Sequence, residues 1–103
     1  MALTNTQLVA NNNTAVFSSS GQNAITTIIF CNTDPVNNGT ISLYAVAYPN
    51  IVGTSTTILS NLSLPATETF TLDTEKLILG DRDVLYASSN IGTVGVTVSS
   101  VGL

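Results

Sequence analysis

Three tyrosines, one cysteine, two cations and six carboxylates are the side chains in this chain whose chemistry goes beyond neutral hydrogen bonding, and five of the carboxylates fall between residues 68 and 83: Glu68, Asp73, Glu75, Asp81 and Asp83. Paired carboxylates hydrolyse glycosidic bonds, and clustered ones hold Ca²⁺ together with carbonyl and water oxygens. The spacing here follows no calcium-binding loop. Asp73 and Asp81 sit where Asx turns would use them, and Glu75, Lys76, Arg82 and Asp83 read as solvated local pairs worth at most about 1 kcal/mol each. That reading is preferred to a metal site or an acid–base pair.

The chain has no histidine. It therefore lacks the commonest general base and the commonest metal-binding side chain, and neither a Ser/His/Asp nor a Cys/His scheme can be assembled from it. Cys31 follows Ile28, Ile29 and Phe30 and reads as a small core hydrophobe, not a nucleophile. Gly92 to Gly95 lies inside a strand pattern with no helix behind it, so no phosphate loop is present. The sequence assigns no catalytic residue, no cofactor and no metal ligand, and the expectation is a protein that is not an enzyme.

Tyr44 and Tyr48 are four residues apart in one strand pattern, which places them on one face where they could form a small sugar-binding platform. Tyr is equally at home as a half-buried strand or interface residue, and packing or interface is the favoured reading. Both faces of this strand are largely apolar: Ile41, Leu43, Ala45 and Ala47 on one, Tyr44, Val46 and Tyr48 on the other. The stretch from Ala24 to Asn32 repeats the feature, with Ile25, Ile29 and Cys31 on one side and Ile28 and Phe30 on the other. Either a loop or the N-terminal segment covers the outward set, or another subunit does. On the second reading Tyr44, Val46, Tyr48, Ile28 and Phe30 are the candidate interface residues.

The elements that must position these residues are strands. Thr, Val and Ile make up 34 of 103 residues, a β-branched load that disfavours helix and suits a pleated surface. Seven strands are expected, at 14–18, 24–32, 40–48, 56–64, 67–72, 83–88 and 93–99, with Leu3 to Ala10 an eighth or an extended arm and Glu75 to Leu79 a single helical turn or, as the preferred reading, a short strand. Val94, Val96 and Val98 alternate with Thr93, Gly95 and Thr97, the pattern of a strand with one buried face. Asn38-Gly39 suits the positive φ angles of a tight hairpin turn. The fold class is all-β: an antiparallel β-sandwich, jelly-roll-like or Ig-like, of seven to eight short strands. It forms a single domain over residues 1–103, with 1–13 an extended N-terminal arm or edge strand.

Composition narrows the partners. Two cations against six acids give a formal charge of −4, too few positive groups for the phosphates of DNA or RNA or for an anionic membrane surface. Charged residues are 8% of the chain, while Thr, Asn and Ser supply 38 of 103 residues, so the polar surface is mostly uncharged. Leu, Val, Ile and Phe together supply 32, which excludes a disordered chain. No apolar run approaches the roughly 20 residues of a membrane-crossing helix. Met1 to Thr6 has neither the basic region nor the apolar stretch of a secretory signal, and a single cysteine fits a reducing compartment. Sheet edges are normally defended by lysine, inward charge or proline, and Lys76 and Arg82 are the only cations available. Docking of those edges against other molecules would resolve the problem.

The C-terminal half carries a pattern: Leu64-Pro65-Ala66-Thr67-Glu68-Thr69-Phe70-Thr71-Leu72, then Lys76-Leu77-Ile78-Leu79-Gly80-Asp81, then Asp83-Val84-Leu85-Tyr86-Ala87-Ser88-Ser89, then Val94-Gly95-Val96-Thr97-Val98-Ser99. It resembles the layout of small β-sandwich virion accessory proteins of tailed bacteriophages, especially phages of marine and cyanobacterial hosts. The opening Met1 to Thr6 and the stretch Asn23 to Thr33 are similar to those proteins too. Thr67 departs from the pattern, which has Gly there. The resemblance implies a non-catalytic structural subunit present in many copies on the virion and made in the host cytoplasm. A capsid decoration or cement protein comes first, and a neck, tail or fibre-attachment component is the alternative. The implied partners are further copies of the chain, as a homo-oligomer such as a trimer, and other virion proteins such as the major capsid protein. A carbohydrate or host-recognition module using Tyr44, Tyr48 and the acidic loops is the competing reading, and a secreted adhesin or pilus-like subunit the third.

Overall fold

The β-branched bias of the sequence is realised as eight strands in the computed structural model, which describes residues 2–103 apart from the side chains of residues 2 and 74–76. They are β1 (Ala2–Gln7), β2 (Thr14–Ser18), β3 (Asn23–Asn32), β4 (Gly39–Val46), β5 (Thr57–Leu64), β6 (Thr69–Leu79), β7 (Val84–Ser89) and β8 (Val94–Gly102), with one 3-10 turn at Thr54–Thr56. The all-β sandwich expectation holds. The segment left open as arm or strand is a strand: β1 pairs antiparallel with β8 from Ala2↔Ser100 to Gln7↔Gly95. The stretches expected separately at 67–72 and 75–79 are one continuous β6.

The two sheets have the orders β1-β8-β3-β6 and β2-β7-β4-β5, and every described pairing is antiparallel. Each connection crosses from one sheet to the other except β4 to β5. That order is a jelly roll: the chain behaves as a long folded hairpin wrapped around the core, so that β1 meets β8 and β3 meets β6. Where β1 runs alongside β2, the Thr4 hydroxyl donates to the Val16 carbonyl at 3.0 Å, closing one side of the sandwich. Val16 itself sits at an irregularity in the β2–β7 register and is buried.

The core lies between the sheets and is built from Ile25, Ile28 and Phe30 of β3, Ile41 and Leu43 of β4, Leu85 and Ala87 of β7, and Val94, Val96 and Val98 of β8, with Leu8, Val16, Leu64 and Leu79 around them. The valine alternation of β8 thus faces inward. Phe30 packs on Phe70 with ring centroids 6.5 Å apart at 41°, within the range of favourable tilted aromatic pairs.

Ile28 and Phe30 are corrected by this packing. Both are fully buried, so neither belongs to an outward interface face. A register shift between Ile25 and Thr27 inserts one β3 residue against β8, with the β6 register shifting at the same point, and puts Ile25 in phase with Ile28 and Phe30. A bulge reverses the alternation that a period of two assumes. Ile29 and Cys31 face outward in consequence, and Cys31 is half-buried instead of a core residue.

Asn38-Gly39 is also corrected. β3 and β4 belong to different sheets and form no hairpin, and positive φ falls instead at Asn11, Gly21, Asn61, Thr67 and Arg82. Gly39 sits close under a side chain: a Cβ there would stand 2.6 Å from Cδ1 of Ile91, so Ile91 would have to shift to admit one.

Candidate functional site

The topology gathers the connections into two ends. At one end lie the β1–β2, β3–β4, β5–β6 and β7–β8 connections, stitched by Thr33 N–H to Thr93 O at 3.0 Å, Thr67 N–H to Asp34 O at 3.1 Å and Asn11 N–H to Ser89 O at 2.8 Å. Its centre is Asn32, fully buried, whose Nδ2 donates to the carbonyls of Asn37 and Leu64 while its Oδ1 accepts from Asp34 N–H and the Thr93 hydroxyl. Asp34 then forms an Asx turn, accepting from the N–H groups of Val36 and Asn37, each at 2.9 Å, and from the Asn37 amide. Those hydrogen bonds, with the Asn37 N–H first, hold its carboxyl below the ordinary value.

At the opposite end the acidic residues act as staples. Asp83 accepts from Tyr48 N–H at 2.9 Å and Gly80 N–H at 2.8 Å, joining the β4–β5 and β6–β7 connections. Asp81 accepts from Gly21 N–H at 2.9 Å and lies 3.9 Å from Arg82. Asp73 is not in a turn as expected; it is on β6, where the Thr27 hydroxyl approaches it at 3.4 Å. The local pairing expected of Glu75 and Lys76 falls on side chains outside the described residues. Among the described residues no three His, Cys, Asp or Glu side chains gather around a common point.

The outer face of the β2-β7-β4-β5 sheet is where the remaining candidates meet. Tyr44 stands directly opposite Tyr86, Ser42 opposite Ser88, and Val46 opposite Val84. Ala15 of β2 pairs with Tyr86 and Thr57 of β5 with Tyr44, which completes one row across all four strands. Tyr44 and Tyr86 are half-buried, and neither phenol hydroxyl has a hydrogen-bond partner among the described residues. Tyr44 therefore has Tyr86 as its aromatic neighbour in place of the expected Tyr48. The two lie far apart in sequence and are joined only by the jelly-roll order of β7 and β4.

Val46 is only 5% exposed although it lies outside the central core, and the turn at Thr54–Thr56 packs against its strand. The chain covers Val46 itself, which removes it from the outward interface set. Tyr48 lies past the end of β4 and is 59% exposed, with the Arg82 guanidinium 5.2 Å from its ring centroid. Beside it in sequence Ile51 is 84% exposed. Of the five candidate interface residues, Tyr48 is exposed, Tyr44 is partly exposed, and Val46, Ile28 and Phe30 are buried within the chain.

Where the same outer face meets the Asn-rich end, an open hollow of about 360 Å³ is lined by Asn11, Asn12, Asn13, Thr40, Ser42, Asn61, Ser88, Ser89 and Asn90. No lining residue is charged. Sequence reading missed it because its walls come from four parts of the chain. The available signal was the pair of outward serines, Ser42 and Ser88, in otherwise apolar strands. No protein-family model, curated protein or solved structure matches the chain.

Proposed function

We propose that the chain is a non-catalytic virion structural protein of a tailed bacteriophage, a capsid decoration or cement subunit acting through contacts with further copies of itself and with other virion proteins. The observation that carries this reading is the state of the sheet edges. Three of the four edge strands, β1, β2 and β5, contain neither a charged residue nor a proline. Such edges invite pairing with another chain unless they are covered. Large apolar side chains stand exposed along three edge strands, Leu3 on β1, Ile58 on β5 and Ile78 on β6, and again at Tyr48 and Ile51 beside one end.

The near-absence of surface charge supports the same reading, since copies packed at high density then repel one another little. The jelly roll recurs in capsid proteins and lectins alike, a fold-level analogy that raises the expectation without assigning a role. Two measurements test the proposal. Light scattering on the purified chain should give an oligomer, and antibody against the chain should label purified phage particles. A monomer persisting at high concentration together with unlabelled particles would overturn it.

A further inference from the structure

We propose that the hollow on the outer face of the β2-β7-β4-β5 sheet binds a neutral carbohydrate, with Tyr44 and Tyr86 extending its floor along the sheet. The lining supplies amides and hydroxyls without a single formal charge. A phosphate or carboxylate would find no cation there, and a metal ion no carboxylate.

Several lining groups are unspent. The side-chain amides of Asn11, Asn13 and Asn61 and the hydroxyls of Thr40 and Ser88 have no protein partner among the described residues. Asn90 uses its Oδ1 to accept from Thr40 N–H at 2.9 Å, leaving its NH₂ free. Each amide presents a donor beside an acceptor, the complement of a sugar hydroxyl, which is both.

The walls are fixed in advance. Asn11 N–H donates to Ser89 O at 2.8 Å, and Asn61 N–H donates to the buried Ser42 hydroxyl at 3.0 Å. Asn61 has φ of 50°, a left-handed conformation that Asn tolerates and that aims its side chain from the β5 irregularity. Holding the groups before the ligand arrives lowers the ordering cost of binding. The volume lies at the lower part of the range of small-molecule sites, roughly 300 to 1,000 Å³.

Tyr44 follows Ser42 and Tyr86 precedes Ser88 by two residues on the same face of the antiparallel pair, which sets both tyrosines about 7 Å further along the strands. A pyranose ring carries polar hydroxyls at its rim and C–H groups on its faces. The hollow suits the first, and the electron-rich ring faces of the tyrosine pair suit the second. A purely apolar ligand would leave the amides unpaired at a cost in affinity. The inference does not depend on the virion reading, because it rests on the uncharged lining of the hollow and not on association of copies, although Asn61 belongs to the edge strand β5.

Nuclear magnetic resonance titration of the isotope-labelled full chain tests it. The probes are neutral oligosaccharides of glucose, galactose, mannose and N-acetylglucosamine, with sialyllactose as the anionic control. At least one neutral sugar should shift the side-chain amide signals of Asn11, Asn13, Asn61 and Asn90 saturably, with an affinity independent of salt. Asn61→Gly combined with Ser88→Ala, which keeps the backbone angle and removes two contacts, should weaken binding by about tenfold or more without lowering the thermal midpoint. Tyr86→Phe should bind as the parent and Tyr86→Ala more weakly. Absence of saturable shifts across the panel, equal binding by the double variant, or binding only of the anionic sugar would overturn the proposal.

Discussion

The Thr93 hydroxyl donates to Oδ1 of Asn32 at 3.0 Å, tying the turn before β8 to the last residue of β3. It is one of four hydrogen bonds that the Asn32 side chain makes while fully buried, two accepted and two donated. An amide with both ends engaged loses all four partners when truncated, and each buried group left unpaired costs about 1–3 kcal/mol. Asn32→Leu is therefore expected to lose about 3 kcal/mol or more, a large share of the roughly 5–15 kcal/mol of a domain. Asn32→Asp keeps the accepted bonds and turns a carboxylate towards the carbonyls of Asn37 and Leu64, so it should be more damaging at neutral pH than in acid. Urea midpoints at the two pH values check both statements. An Asn32→Leu midpoint equal to the parent would mean the end is held by the backbone alone.

Thr67 has φ of 65°, at the third position of a turn closed by Glu68 N–H donating to Pro65 O at 3.2 Å. A β-branched residue in the left-handed region is strained, and turns with positive φ at this position favour Gly. Thr67→Gly should remove about 1–2 kcal/mol of strain and lose part of it to unfolded-state entropy. The expected net gain is about 0.5–1 kcal/mol, seen as a thermal midpoint raised by several degrees in a chain of this length. Thr67→Ala, which stays in the disfavoured region, should gain far less. Equal midpoints for the Gly and Ala variants would contradict the strain assignment.

How much of this was legible in the sequence depends on whether a feature is local or needs the topology. The inward valines of β8 could be read because alternation is a property of consecutive residues. The inward set of β3 could not, because one inserted residue near Thr26 reverses the phase, and nothing in Ala24-Ile25-Thr26-Thr27-Ile28 announces it. The two-sided character of β4 was correct in its faces and incomplete in its cover: Val46 is sheltered by the chain's own β4–β5 connection. Asn32, Asp83 and the Tyr44–Tyr86 pair gain their roles from strands brought together by the jelly-roll order, which composition and spacing do not fix. Thr67 is a local case that composition does not announce: its positive φ belongs to the four-residue turn closed by Glu68 N–H and Pro65 O.

Asp34 gives the chain a defined acid sensitivity. Its folded carboxyl titrates below the unfolded value of about 3.9, chiefly because the Asn37 N–H, then the Val36 N–H, then the Asn37 side chain favour the anion. A lowered pKa contributes stability that is fully present above the unfolded value and is lost as pH falls through the folded one. The parent should therefore exceed Asp34→Asn in thermal midpoint at neutral pH, and the gap should close in strong acid. Thermal unfolding of both proteins across that range checks the sign. A gap that stays constant would show that the carboxylate charge contributes nothing to this turn.

Ile28 and Tyr48 separate folding from association. Ile28 is enclosed between the sheets, so Ile28→Ala removes buried methyl and methylene groups and leaves a cavity, an expected loss of about 2–5 kcal/mol. Tyr48 is largely exposed, and its ring contacts Arg82 in a surface cation–π pair worth about 0.5–1 kcal/mol. Tyr48→Ala leaves the N–H donation to Asp83 intact because that bond is made by the backbone. Its midpoint should therefore move little while its oligomeric mass falls, and Ile28→Ala should do the reverse, keeping its mass for as long as it stays folded. Light scattering beside thermal unfolding reads both quantities on the same samples. A Tyr48→Ala chain with unchanged mass would take this corner out of any contact between copies and leave association to the uncharged edges of β1 and β5.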